Sequence, residues 1–309
     1  MERLAAELKS LRGKTLVLTH SLADLDACAS ALVLAEAVGG EAACPDKPSS
    51  AARHCLEKLG YSIPVYGGAK CENLVLVDVS NAGLLGGFNL KPFGKIIVID
   101  HHYHNKHLKC DYSFIDAKRS SCSEIILEAC NALGFRLSDS QRKLLLAGVL
   151  HDSAFFKSAN CRTLAAAAEL CEGIDFREVV RAAEVRKDPS EVAAVQKAVC
   201  SASIEEIGGF KAAFTESGAF ELQSASTLVE IGCDYAFVLD AKHGKMSAVK
   251  REAAPGNVGK MMEKIGKEFG GSGGGHENAG GASGKPEKAG KALETARKEL
   301  MLLLANNNP

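Results

Sequence analysis

Asp100, His101 and His102, three adjacent metal- or proton-handling groups, directly follow the apolar run Ile96-Ile97-Val98-Ile99. A hydrophobic strand rarely ends this way, and carboxylate beside imidazole suits divalent-metal chemistry at phosphorus. Two earlier segments have the same shape. Lys14 to Thr19 leads into His20, with Asp24 and Asp26 following in the pattern H-x-x-x-D-x-D, and Asn73 to Val77 ends in Asp78. A fourth apolar stretch, Leu144 to Leu150, ends in His151 and Asp152. This mixture of oxygen and nitrogen donors favours first-row ions such as Mn²⁺ over thiolate-bound zinc. Two such ions about 3.5–4 Å apart lower the pKa of a water and neutralise charge on phosphoryl oxygens. Singly, an Asp after a strand is usually a turn or cap residue. The common position at strand ends is what points to a site.

The elements that must position these residues follow from the apolar pattern. The runs before His20, Asp78 and Asp100 read as buried strands of a parallel sheet, whose ligands bind beyond the carboxyl ends of the strands. A loop after the first strand is expected to turn His20, Asp24 and Asp26 inward. Helices are expected over Glu2–Arg12, Ala27–Val38 and Ser120–Leu133, and Ser138-Asp139-Ser140-Gln141 has capping-box spacing ahead of the helix that ends at His151-Asp152. Alternating strands and helices predict a mostly parallel, helix-covered sheet over residues 1–185. A mainly helical stretch runs from Arg162 to about Ser203, and Asp188-Pro189-Ser190-Glu191 opens a fresh helix in a helical linker over 186–205. Residues 206–309 predict a smaller α/β domain with a mixed sheet. Its strands are expected at Phe210–Thr215, Tyr235–Asp240 and Lys245–Val249, and its helices at Ala225–Ile231 and Val258–Phe269. The glycine run Gly270 to Gly275, broken only by Ser272, precedes His276, and an amphipathic helix from Pro286 to Leu304 closes the chain.

Composition narrows the partners. The 309 residues carry 37 basic against 38 acidic side chains, a net charge of -1, which argues against a protein that coats duplexes by overall positive charge. Any polyanion must be drawn locally. Eleven cysteines without a C-x-x-C pair, in a chain opening Met1-Glu2-Arg3-Leu4, predict buried thiols in a reducing cytoplasm. No apolar run approaches the roughly 20 residues of a membrane span, so no membrane is expected. The absence of Trp and an aromatic content of 6% weaken the case for a long stacking platform for single strands.

Taken together, these motifs resemble the DHH phosphoesterases of the RecJ-like superfamily that carry a DHH-associated C-terminal domain. Within that group the similarity is to the nanoRNase and 3′-phosphoadenosine 5′-phosphate phosphatase-like branch. His20-x-x-x-Asp24-x-Asp26-x-x-x-Ser30 resembles the first motif, Val77-Asp78-Val79-Ser80 the second and Asp100-His101-His102 the third. Gly148 to Phe156 resembles the fourth, and Gly274-Gly275-His276-Glu277-Asn278-Ala279-Gly280-Gly281 the glycine–histidine signature of the associated domain.

The resemblance implies two Mn²⁺ ions, with Mg²⁺ or Co²⁺ as substitutes. One would be held by His20, Asp24 and Asp78, the other by Asp26, Asp78, His101 and Asp152, with Asp78 bridging. His102 would face the phosphate, and Asp100 would orient a histidine. Gly273, Gly274, Gly275 and His276 would meet a second phosphate or terminal group of a substrate lying between the domains. Lys250 and Arg251, with Lys242 nearby, would add local positive charge. Ala23 and Ala29 stand where the family often has Pro and Gly, and Val249 where it often has Arg. His104, His107 and His151 are extra imidazoles expected at the surface or as caps.

The function implied is Mn²⁺-dependent hydrolysis of short oligonucleotides, cyclic or linear dinucleotides, or 3′-phosphoadenosine 5′-phosphate. Two alternatives are a RecJ-like single-strand exonuclease and a non-catalytic scaffold of a replication or repair assembly. The pyrophosphatase branch shares the first-domain motifs but lacks the glycine–histidine signature, and ranks lower. The expected partner is a small nucleotide or a short single strand, and a homodimer is compatible with the chain.

Overall fold

The computed structural model describes residues 1–79, 81–103, 108–184 and 188–305. The chain divides into two units, Met1–Val185 and Arg186–Pro309.

The first unit contains strands β1 (Thr15–Leu18), β2 (Glu41–Ala43), β3 (Asn73–Val77), β4 (Lys95–Asp100) and β5 (Tyr112–Ile115). They form one sheet in the order β2-β1-β3-β4-β5, and every pairing is parallel. Its helices are α1 (Glu2–Lys9), α2 (Leu25–Val38), α3 (Ser50–Lys58), α4 (Cys122–Leu133), α5 (Asp139–Asp152), α6 (Cys161–Cys171) and α7 (Phe176–Ala183).

Between their end residues the central strands are apolar because both faces are covered. Val17, Val75, Val77, Ile97 and Ile99 pack with residues of the helices, Leu34 of α2, Ile126 of α4 and Leu146 of α5 among them. Leu16, Leu18, Leu74, Leu76 and Val98 face the other way, against Leu85 of a 3₁₀ turn and the connecting segments around Phe93 and Leu108. Each fully buried aliphatic side chain contributes about 1.5–3 kcal/mol, so shifting a strand by one residue would lose little hydrophobicity here, and register rests on the flanking polar residues.

The helix ends are chemically specified. Asp24 caps α2, accepting from the Ala27 amide at 3.0 Å, and Gly39 closes it in a left-handed conformation. Ser138 and Gln141 form the capping box of α5. Helix α2 starts two residues earlier than its apolar pattern suggests, so Asp26 lies in its first turn and not in a loop. Strands β2 and β5 escape sequence reading because β2 has three residues and β5 lies at the sheet edge, only half buried.

The second unit contains α8 (Pro189–Cys200), β6 (Ser203–Ile207), β7 (Phe210–Glu216), α9 (Glu221–Glu230), β8 (Tyr235–Asp240), β9 (Lys245–Lys250), α10 (Val258–Glu268), β10 (Ser272–Gly275), β11 (Ala279–Ser283) and α11 (Ala292–Ala305). The sheet order is β10-β11-β9-β8-β7-β6, mixed because β7 and β8 alone run parallel among otherwise antiparallel neighbours. Helix α8, within the stretch read as a linker, is part of this unit: the Thr215 hydroxyl donates to its Ala198 carbonyl at 2.9 Å. Met262 of α10 and Leu300 of α11 pack on one sheet face, and Leu228 of α9 on the other. The closing helix begins later than expected, since residues Pro286–Lys291 form a 3₁₀ turn.

Candidate metal centre and active site

Strands β1, β3 and β4 are neighbours and run in the same direction, so the residues after them emerge at one edge. His20 follows β1, Asp78 follows β3, and Asp100-His101-His102 closes β4. Asp24 and Asp26 arrive at the start of α2, Asp152 at the end of α5. Asp78 is almost wholly buried and has φ +61°, a backbone conformation that costs a non-glycine residue about 1–3 kcal/mol. Its amide is held by the Ile99 carbonyl at 2.9 Å.

The two oxygens of Asp78 face different imidazoles. Oδ2 lies 3.6 Å from His20 Nε2, and Oδ1 lies 3.3 Å from His101 Nε2. His20 Nε2 is also 3.9 Å from Asp24 Oδ1, and His101 Nε2 is 3.1 Å from Asp152 Oδ2. In both histidines the other ring nitrogen is already committed. His20 Nδ1 donates to the Ser21 carbonyl at 2.8 Å and His101 Nδ1 to the Arg119 carbonyl at 3.3 Å. A carbonyl only accepts, so each ring presents Nε2 to the carboxylates, the arrangement by which a backbone partner orients a metal-binding imidazole.

Asp26 is fully buried. Its Oδ2 accepts the Cys122 amide at 2.6 Å and its Oδ1 the Ser123 amide at 2.9 Å, so it caps α4 from across the sheet edge. Asp100 is also fully buried. Its Oδ1 accepts the amides of His101 and His102, at 2.7 and 3.1 Å, and His102 Nδ1 at 2.9 Å. Asp100 thus holds the turn it belongs to and fixes the ring of His102, which is half exposed.

So many carboxylates repel one another. Burial, then the charges of Asp78 and Asp152, push the Asp24 carboxyl above its ordinary range. Burial, then Asp152 and Asp78, push Asp26 well above it. At Asp78 burial works the same way, but the imidazoles of His101 and His102 outweigh it and hold its carboxyl low. Asp152 is likewise held low against burial by His101 and His151. His101, despite burial, is pushed up to about 11 by Asp152 and Asp78, and His102 to about 10 by Asp100 and Asp78.

The donors fit divalent ions. His20, Asp24 and Asp78 form one group and Asp26, His101 and Asp152 another, with ligand atoms in each within 4.8 Å of one another. Among the described residues, Asp78 Oδ1 and His101 Nε2 are buried with no well-directed hydrogen bond, although they lie 3.3 Å apart, which is costly unless a cation in place of the imidazole proton engages both. Asp24 with His151 and Asp152 makes a further such group. His104 and His107 lie outside the described residues.

Several contributors carry no sequence signal. The Cys122 and Ser123 amides and the Arg119 carbonyl are backbone groups. Asp46 accepts from the Leu22 amide at 2.6 Å and from the Ser21 hydroxyl, pinning the loop between His20 and Asp24. Gly148 of α5 packs on Asp26: a Cβ there would run into Ser123 Oγ and stand 2.8 Å from Asp26 Oδ1.

In the second unit the expected contacts divide. A Cβ at Gly273 would run into the Met262 carbonyl of α10, and one at Gly275 into the Gly280 backbone, so these glycines serve close packing. Gly274 faces open space and His276 is exposed. Lys250 is a correction: its side chain is buried, and Nζ donates to the carbonyls of Ala254 at 2.8 Å and Glu252 at 3.3 Å. Its ammonium is held by these backbone carbonyls inside the second unit. Arg251 is exposed but paired with Asp234 at 2.5 Å.

A cavity of about 860 Å³, lined by Tyr66, Phe88 and Phe93, abuts residues that precede β3 and β4. It lies at the opposite strand ends from the histidines.

Residues 14–149 match the DHH family, N-terminal domain, and residues 232–301 match the DHHA1 domain. An uncharacterised protein of Methanocaldococcus jannaschii, MJ0988, is 31% identical over 307 residues, covering 94% of this chain and 93% of that protein. The chain belongs to the DHH family. The bifunctional oligoribonuclease and PAP phosphatase NrnA of Thermus thermophilus is 29% identical over 174 residues, 54% of this chain and 53% of its own. Among solved structures, an exopolyphosphatase-related protein from Bacteroides fragilis superposes with a TM-score of 0.69 at 16% identity, covering 98% of this chain and 97% of its own. RecJ from Thermus thermophilus in complex with Mn²⁺ superposes at 0.52 and 15% identity, covering 99% of this chain and 55% of its own. Identities this low carry the fold alone, and the fold is that of the DHH and RecJ-like α/β proteins. The DHH match stops at residue 149, so His151 and Asp152 of this DHH protein lie just beyond it. Among the described residues no helix is long and apolar enough to cross a membrane.

Proposed function

We propose that this DHH-family protein is a two-metal, Mn²⁺-dependent phosphoesterase acting on short oligonucleotides, dinucleotides or 3′-phosphoadenosine 5′-phosphate. The observation that carries this reading is Asp78, whose two carboxylate oxygens each face a different imidazole, His20 on one side and His101 on the other. Donors arranged around a shared carboxylate suit a pair of ions, and a mixed aspartate–histidine set suits Mn²⁺. The RecJ structure in complex with Mn²⁺ supports the choice of metal. NrnA, an oligoribonuclease and PAP phosphatase, supports the substrate class.

His20, Asp24 and Asp78 would hold one ion, and Asp26, Asp78, His101 and Asp152 the other. Ions held there would supply a lowered pKa to a water and neutralise charge on the phosphoryl group. The chain's own work is positional. The Ser21 and Arg119 carbonyls fix the two ligand rings, and Asp100 fixes His102 so that its exposed edge can donate a hydrogen bond to a phosphoryl oxygen. Gly274, with no side chain and open space before it, lets a phosphate or sugar approach the backbone, and His276 beside it can contact the same group.

The test is hydrolysis by purified protein with Mn²⁺ on di- to pentaribonucleotides, cyclic dinucleotides, 3′-phosphoadenosine 5′-phosphate and long single-stranded DNA. Short substrates should be cleaved fastest. Faster, processive cleavage of the long strand would replace this reading with a RecJ-like exonuclease, and a metal-loaded but inert protein would indicate a scaffold.

A further inference from the structure

We infer that His151 is a positioning residue of the metal centre that selects which oxygen of Asp152 enters it. The inference rests on the two-metal reading above. Two adjacent residues at the end of α5 point into the same cluster. His151 Nδ1 lies 3.0 Å from Asp152 Oδ1, while Asp152 Oδ2 lies 3.1 Å from His101 Nε2. His151 also groups with Asp24, a donor of the other metal set, within 4.8 Å.

The backbone here is held tightly. Ser153 is fully buried and donates its hydroxyl to the Val149 carbonyl at 2.6 Å; the Phe155 amide returns to the Leu150 carbonyl at 2.8 Å. Ala154, Phe155 and Phe156 then run consecutively through the left-handed region, with φ of +48°, +54° and +69°. These contacts fix the Cα of Asp152 but do not by themselves set the rotation of its carboxylate, of which His101 meets only Oδ2. A carboxylate at a helix C-terminus is also disfavoured by the nearby carbonyl dipoles. The Nδ1–H of His151 answers both problems: it gives Oδ1 a partner, fixes the rotamer, and leaves Oδ2 aimed at His101.

Losing an outer partner of a metal ligand typically weakens metal binding about 10–100-fold. The test is Mn²⁺ titration by calorimetry, with electron paramagnetic resonance of the loaded protein, on wild type, His151→Ala and His151→Asn. The asparagine amide places a donor near the position of Nδ1 but is a poor metal ligand. Alanine should weaken one of the two Mn²⁺ steps about 10–100-fold and lose the spin-coupled pair signal, with asparagine restoring both to near wild type. Alanine that loads both ions as wild type does would overturn the role of His151 while leaving the metal centre standing. Equal loss in alanine and asparagine would overturn it too, making His151 a direct ligand. A wild type that binds no Mn²⁺ would overturn the two-metal reading itself, and this inference with it.

Discussion

The Asp26 carboxylate closes the N-terminus of α4 by accepting the Cys122 amide at 2.6 Å, a contact across 96 positions of sequence. The first-motif residue expected at the candidate metal centre therefore also fastens the helix that follows β5. With Gly148 pressed against the same side chain, α2, α4 and α5 meet at one buried carboxyl group.

Removing that carboxylate should cost stability even without metal. Asp26→Ala strands two buried amides, each worth about 1–3 kcal/mol, offset in part by relief of repulsion from Asp152 and Asp78. A net loss of about 2 kcal/mol is expected in urea unfolding with chelator present. An unchanged midpoint would show that the α4 cap carries no weight.

Asp78→Asn keeps the size of the side chain and removes the charge that both imidazoles face. Hydrolysis should fall by more than the roughly 10–100-fold that loss of an outer partner brings, with the far-ultraviolet circular dichroism unchanged. Activity within tenfold of wild type would refute the sharing of Asp78 between two ions.

Metal uptake should release protons. His101, pushed up to about 11 by Asp152 and Asp78 against burial, carries a proton on Nε2 at neutral pH that an incoming cation must displace. Mn²⁺ affinity should therefore rise with pH, by about tenfold per unit for each proton displaced, measured by calorimetry in buffers of different ionisation enthalpy. The metal-free protein should show the opposite trend. A raised histidine pKa contributes stability that is complete below its ordinary value of 6.5 and is lost as pH climbs toward about 11. Metal affinity that is flat between pH 6 and 8 would contradict the assignment of His101 as a ligand.

Gly273 and Gly274 are neighbours with opposite duties, and alanine should separate them. Gly273→Ala drives a methyl into the Met262 carbonyl and should destabilise the second unit by about 1–3 kcal/mol. Gly274→Ala meets nothing and should leave the melting temperature unchanged while raising KM for short nucleotides. A Gly274→Ala enzyme with unaltered KM would remove this strand from substrate binding.

Much of the site was legible because its residues sit at fixed offsets from apolar runs. Buried parallel strands are hydrophobic along most of their length, so the polar residues just past each run, among them His20, Asp78 and Asp100, mark the strand's carboxyl end. Local chemistry also announced the Ser138–Gln141 capping box. Strand β6 was hidden because Ser203–Ile207 is an edge strand with two glutamates, and its exposed face gives no apolar alternation. The glycine run was legible as a place of close approach, but its composition did not say which glycines approach a helix and which face solvent.

The amino-acid sequence by itself determined the donor types, their order and the strand ends that carry them, because those depend on neighbours along the chain. Tertiary structure alone decided how the donors are used. Asp78 is divided between His20 and His101, Asp26 is committed to the α4 amides, and Lys250 is withdrawn into the second unit. These outcomes depend on distances between segments far apart in sequence. A side chain's partner, unlike its chemistry, is set by what the fold packs against it.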